Sequence, residues 1–309
     1  RTCVGTSPRP VPTPPGPQKP PETSKTLQKH FTKKTTIVKA IQIGNEETSP
    51  FAPAPIDEII AKIHETKPDV VFAPHVETSA GVLLPKAYLE SISKAAHEVG
   101  AIFVLDCIAS GCAWVDMKAT GVDILISAPQ KGWSSTPSAG VVMLSNKAIE
   151  VVENSNSNSF AIDLKKWFSI MKTYENGGHA YHTTMPTDSL THFRDTMLET
   201  QEYGFDKLYK NQWELGNRVR DLLKSKSIKS VAADGFRAPG VVVSYTSDEN
   251  IHNGLKFKEL GMQIAAGVPL MCDEPKSFQT FRIGLFGLDK LYNVDRTIDK
   301  LEKAFDSVL

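Results

Sequence analysis

Three apolar runs in this chain end in polar side chains suited to one small-molecule site. The first ends in HVETSAG from His75, the second in DCIASG from Asp106, and the third in SAPQKG from Ser127. Ligands of open α/β sheets sit beyond the carboxyl ends of the strands, so such residues point to a shared pocket. Asp106 and Lys131 carry the most specific chemistry. A lysine amine can form a Schiff base, and a carboxylate can keep a pyridine nitrogen protonated so that the ring accepts a carbanion's electrons. An aspartate at one strand end and a lysine after the next strand is the spacing that pyridoxal phosphate chemistry needs. Each residue also has a plainer use. Aspartates commonly serve turns, and most lysines are simply solvated.

The elements that must position these residues follow from hydrophobic periodicity. Residues 69–73, 101–105, 122–126 and 140–144 are short apolar, β-branched runs and read as buried strands. Residues 36–41 read as a further short strand. Residues 56–64 carry isoleucines at helical spacing. Residues 85–99 read as a helix with Pro85 in its first turn and Gly100 just past its end. Strands alternating with helices indicate a mainly parallel sheet with helices on its faces. A polar loop at residues 154–159 precedes one long helical pattern, residues 187–223. A second alternating region follows: strand 241–245, helix 252–260, strand 281–284 and a closing helix over 294–308. The expected organisation is a Pro-rich, disordered leader (residues 1–34), a large domain (35–203) and a smaller α+β domain (204–309).

Composition excludes several classes. Lys+Arg and Asp+Glu both number 35 in 309 residues, so neither a nucleic-acid footprint nor an acidic tail is visible. The four cysteines, Cys3, Cys107, Cys112 and Cys272, form no CxxC pair and are too sparse for a disulfide scaffold. They read as free thiols of a reducing compartment, the cytoplasm or an organelle matrix. Residues 1–25 lack the apolar segment of a secretory signal. No apolar run is long enough to span a membrane. The expected partners are small molecules and a second copy of the chain, with no nucleic acid, membrane or metal.

Taken together, HVETSAGVLLP, LDCIASGCAWVDMKATGVDILISAPQKG and FRIGLFGLDKL resemble the successive signatures of the class V aminotransferases, and the alanine–glyoxylate / serine–pyruvate branch best. The similarity runs from about Val38 to Leu309. It implies fold type I of the pyridoxal-phosphate transferases and an amino-group transfer from alanine or serine to glyoxylate or pyruvate. It makes Lys131 the Schiff-base lysine and general base, and Asp106 the partner of the pyridine nitrogen. Ile108 would pack on the ring, Thr78 would donate to the phenolic oxygen, and Gln130 would bond the phosphate. Arg282 would grip the substrate carboxylate with its bidentate fork. Tyr181 and Thr184 would reach across a homodimer to the partner's cofactor phosphate.

The pattern departs from the family at its start. The upstream helix turn that cups the phosphate and the aromatic residue that stacks on the ring are not found, because Gly5-Thr6-Ser7 leads into Pro-Arg-Pro-Val-Pro. Ala109 also stands where a hydroxyl residue is common. The expectation is therefore an N-terminally truncated large domain. Two alternatives stay open beside transamination: a truncated, non-catalytic relative, and another class V reaction such as a lyase or desulfurase, for which Cys272 is the late cysteine.

Overall fold

The computed structural model describes residues 35–309. The leader, with Cys3 and the segment around Gly5, lies outside the described residues. Val38–Leu309 form one compact unit. In chain order it comprises β1 (Ile41–Gln42), β2 (Phe51–Ala52), α1 (Ile56–Thr66), β3 (Val70–Pro74), β4 (Val76–Glu77), β5 (Val82–Leu83) and α2 (Lys86–Glu98). Next come β6 (Ile102–Asp106), α3 (Met117–Thr120), β7 (Ile124–Ser127), β8 (Val141–Leu144), α4 (Asn146–Glu153), α5 (Leu164–Glu175), α6 (Thr187–Tyr203) and α7 (Phe205–Ser225). The last are β9 (Val241–Tyr245), α8 (Glu249–His252), α9 (Leu255–Glu259), β10 (Ala265–Ala266), β11 (Thr280–Gly284), α10 (Leu288–Tyr292) and α11 (Val294–Val308).

The first sheet has the order β3-β6-β7-β8. β3, β6 and β7 are parallel, and β8 runs antiparallel to β7. The sheet is thus mixed and mostly parallel. Its register aligns Pro74, Asp106 and Ile126 at one end, so the strand ends carrying the expected chemistry are neighbours. On one face, α1 and α2 bury Ile63, Leu89, Ile92 and Ala96 against Phe103 and Leu105. Apolar residues three and four apart on each helix make this stripe. The opposite face is more open. β3 reads as buried on both sides in sequence, yet Val70 and Phe72 are 53% and 59% exposed. Among the described residues β3 is an outer strand with a neighbour on one side only, and no helix packs on that face of it.

The second sheet is antiparallel, in the order β10-β11-β9. α7 and α11 pack on it around Leu208, Leu215, Phe281, Ile283, Leu301 and Phe305. A middle cluster joins the two sheets, bringing Phe51, Val76, Val82 and Ala109 against Val231 and Val243. Three expectations need correction. Residues 36–40 form no strand, and only Ile41–Gln42 pairs, with Phe51–Ala52. The long helix is two helices because Gly204, at φ +102, lies outside helical space. The helix at 252–260 is likewise split, by Gly254 at φ +80. Helix α5, absent from the expected elements, is capped by Asp163, whose side chain accepts from Lys166 N.

Candidate active site

Asp106 ends β6, the strand between β3 and β7. Its carbonyl accepts from His75 N, and the next residue, Cys107, donates its N–H to Ile126 O. The chain leaving β6 is thereby tied to both neighbouring strands. One carboxylate oxygen of Asp106 accepts from Ile108 N at 2.9 Å, while the other accepts nothing among the described residues. Beside it, buried His75 shares a 2.7 Å hydrogen bond through Nδ1 with Ser110 Oγ. Desolvation pushes the His75 imidazole down to about 4, so it is neutral at pH 7. Burial also pushes the Cys107 and Cys112 thiols up to about 12.

Lys131 stands four residues beyond the end of β7 in a tightly folded turn. Ser134 N donates to Lys131 O, and Ser135 N donates to Pro129 O. Ser134 has φ +58 and accepts from Leu288 N at 2.7 Å, pinning the turn to the start of α10. Trp133 packs its ring 5.3 Å from Trp114 and 6.1 Å from Phe193, anchoring the turn to the loop before α3 and to α6. Gly132 lies directly on the loop that follows Asp106. A Cβ there would come within 2.5 Å of Gly111 O, closer than any side chain tolerates. The lysine loop and the aspartate loop are therefore packed backbone to backbone. The Lys131 ammonium sits over the Phe286 ring, 5.5 Å from its centroid, and makes no hydrogen bond or ion pair among the described residues.

Arg282 lies in β11, paired with Val243 of β9 and Ala265 of β10. Its Nε donates to Ala266 O at 2.7 Å, and its two terminal nitrogens make no hydrogen bond among the described residues. Burial lowers its pKa, and the field of Glu77 partly offsets this. Glu77 opens the turn that contains Thr78, and Gly81 at the end of that turn lies against Val241 and Val243. The Thr78 turn and the Arg282 strand therefore meet on β9. Thr78 and Ile108 are half-buried, and Gln130 is exposed. Ile108 belongs to none of the three core clusters.

Lys131, Asp106 and Ile108 are thus drawn together by backbone contacts. Arg282 is joined to them through Phe286, four residues further along. Tyr181 and Thr184 stand apart. Their hydroxyls share a 3.1 Å hydrogen bond, Tyr181 is 73% exposed, and no hydrogen bond links either to the strand ends. A separate surface groove of about 560 Å³, bordered by Glu90, Lys94, His97 and Lys118, contains none of these residues.

Residues 25–253 match the sequence profile of the family described as Aminotransferase class-V. The chain belongs to that family. Alanine–glyoxylate aminotransferase of Felis catus is 25% identical over 267 residues, covering 81% of this chain and 60% of the relative. 2-Aminoethylphosphonate–pyruvate transaminase 1 of Burkholderia lata is 26% identical over 281 residues, covering 88% of this chain and 71% of the relative. The crystal structure of alanine–glyoxylate aminotransferase from Nostoc sp. superimposes with a TM-score of 0.68 at 20% identity, over 81% of this chain and 65% of that one. The fold is that of the fold-type-I pyridoxal-phosphate-dependent aminotransferases. The class V chain described here spans about 60% of the length of curated relatives from cat and yeast.

Sequence reading gave no role to His75, Ser110, Gly132 or Phe286. His75 and Ser110 lay within motifs already quoted, but polar residues at strand ends do not announce which of them pair. Gly132 and Phe286 also lie within quoted motifs, but a close backbone approach and a ring beneath a lysine are products of packing that no motif spells out.

Proposed function

We propose that this chain is a pyridoxal-phosphate-dependent aminotransferase that moves the amino group of a small amino acid, alanine or serine, to glyoxylate or pyruvate. One observation carries the reading. Lys131 has an ammonium that pairs with no carboxylate among the described residues and is locked by Gly132 onto the loop that begins at Asp106. Pyridoxal phosphate, when bound, supplies an electron sink for the carbanion formed at the amino acid's Cα.

The residues present fit the ring and aldehyde end of that cofactor. Asp106 has an open carboxylate oxygen with which to hold the pyridine nitrogen protonated. Ile108, half-buried and outside the core, is the apolar floor for the ring. Thr78 is the donor to the phenolic oxygen and Gln130 a donor to the phosphate. Lys131 would hold the cofactor's aldehyde end through its amine and would move the proton at the amino acid's Cα. The open fork of Arg282 takes the α-carboxylate. A half-buried guanidinium with no ion pair among the described residues favours an anion more than a fully solvated one does. Tyr181 and Thr184 serve the phosphate of a second copy's site, making the working form a homodimer. The exposed Phe160, Ile162, Met171 and Tyr174 near them support this, as apolar surface of that extent suits an interface.

A desulfurase reading draws less support. Cys272 is half-buried, and burial raises its thiol pKa, which opposes the thiolate that such chemistry needs. The test is spectroscopic. The purified chain is loaded with pyridoxal phosphate, freed of excess, and its visible spectrum recorded with and without L-alanine, L-serine or 2-aminoethylphosphonate. A retained band that an amino donor bleaches, and that Lys131→Ala abolishes, is the expected result. A folded chain that retains no cofactor would overturn the reading in favour of a non-catalytic relative.

A further inference from the structure

Helix α7 turns a stripe of three residues spaced by four toward the candidate site: Gln212, Gly216 and Arg220. Gln212 is fully buried. Its Nε2 donates to Pro239 O at 3.2 Å and to Leu285 O at 3.4 Å, and its Oε1 faces Cys112 N at 3.5 Å. One amide thus touches three separate segments. Cys112 follows Gly111 in the loop that starts at Asp106. Leu285 follows the Arg282 strand and precedes Phe286. Pro239 leads into β9, on which Arg282 is paired.

The geometry around that amide is tight. A Cβ at Gly111 would come within 2.8 Å of Gln212 Oε1 and 3.3 Å of the Phe286 ring, and one at Gly240 within 2.8 Å of the same ring. Phe286 is therefore wedged between the loops that Gln212 ties together. Gly216 lets α7 approach: a Cβ there would meet Pro239 O at 2.6 Å. Arg220, also buried, donates to Ala238 O and Val241 O. The Lys131 ammonium lies over the same Phe286 ring, 5.5 Å from its centroid.

We propose that Gln212 is a positioning residue for the candidate site. Its amide holds the Asp106 loop and the Arg282–Phe286 strand end at a fixed separation, so that the lysine side and the carboxylate-binding side stay in register. The proposal rests on the aminotransferase reading above for its role in binding an amino acid. Its geometric part, the bridge between two loops, stands without it.

The test uses the full chain with Gln212→Met, which keeps the length but not the hydrogen bonds, and Gln212→Glu. Amide hydrogen exchange is measured in the cofactor-free proteins. Cofactor-loaded proteins are then titrated with L-alanine and the half-point of band bleaching is read. Gln212→Met is expected to speed exchange at residues 107–113 and 283–287 together. It should also raise the alanine half-point about tenfold, the scale of one lost buried hydrogen bond, while the band itself is retained. Gln212→Glu should approach the wild-type half-point at acid pH, where its buried carboxyl is protonated and donates, and resemble Gln212→Met at alkaline pH. Unchanged exchange in either loop, or Gln212→Glu matching Gln212→Met at every pH, would overturn the proposal. Should Gln212→Met fail to fold, the pH response of Gln212→Glu decides. If the wild-type chain takes up no cofactor, the aminotransferase reading falls, and the exchange measurement alone decides whether the bridge exists.

Discussion

Replacing His75 by Asn should destabilise the protein less at acid pH than at neutral pH. The Asn amide sits where the imidazole Nδ1 does and can keep the bond to Ser110, but it cannot titrate. His75 is buried, and its pKa falls from 6.5 in the unfolded chain to about 4 in the folded one. Between these values the unfolded state binds a proton that the folded state refuses. Stability from this group is therefore complete above pH 6.5 and is lost as pH falls toward 4. Working the two binding curves between about pH 8 and about pH 5 gives a loss of about 2 kcal/mol in wild type that His75→Asn does not suffer. Urea unfolding of both proteins at the two pH values, followed by circular dichroism, measures it. Other titrating groups are common to both proteins and cancel in the comparison. A stability difference that is the same at both pH values would refute the claim that this imidazole is held neutral by burial. Because the His75 ring bonds Ser110 Oγ in the loop that follows Asp106, the same acid step should loosen that loop.

Other perturbations follow from the same geometry. Gly132→Ala places a methyl within 2.5 Å of Gly111 O. It should cost about 1–3 kcal/mol by overpacking and sharply reduce cofactor retention while far-UV dichroism stays native. Arg282→Lys keeps a charge but loses the fork and the bond to Ala266 O. On the proposal that this fork takes the amino acid's carboxylate, the half-point should rise by about ten- to a hundredfold with the cofactor band intact. Cys107 and Cys112, buried with thiols pushed up to about 12, should resist alkylation at pH 8 until the chain is unfolded, as read by peptide mass spectrometry.

Much of the architecture is legible in local pattern. The apolar runs at residues 101–105 and 122–126 become β6 and β7 within a residue or two, because short runs of β-branched and other large apolar residues leave few alternatives to an interior strand. The helix ending at Gly100 and the closing helix of residues 294–308 likewise follow from spacing and punctuation. Where pattern misled, a single backbone geometry or a missing neighbour was responsible. Gly204 and Gly254 carry helical periodicity on both sides, so their left-side φ values do not show in composition. Val70 and Phe72 look like core residues, yet an outer strand leaves them open.

The sequence by itself determined which residues could do the chemistry. Lys131 and Asp106 are 25 positions apart, each just beyond a strand, and short-range periodicity is enough to say so. Tertiary structure alone decided what fixes them there. Gly132 meets Gly111, His75 meets Ser110 35 positions away, and Gln212 reaches Leu285 73 positions away. These contacts depend on how separate elements pack and on which buried polar atoms then find partners. Periodicity reports only which face of an element is apolar, so it cannot say which side chain on another element will meet it.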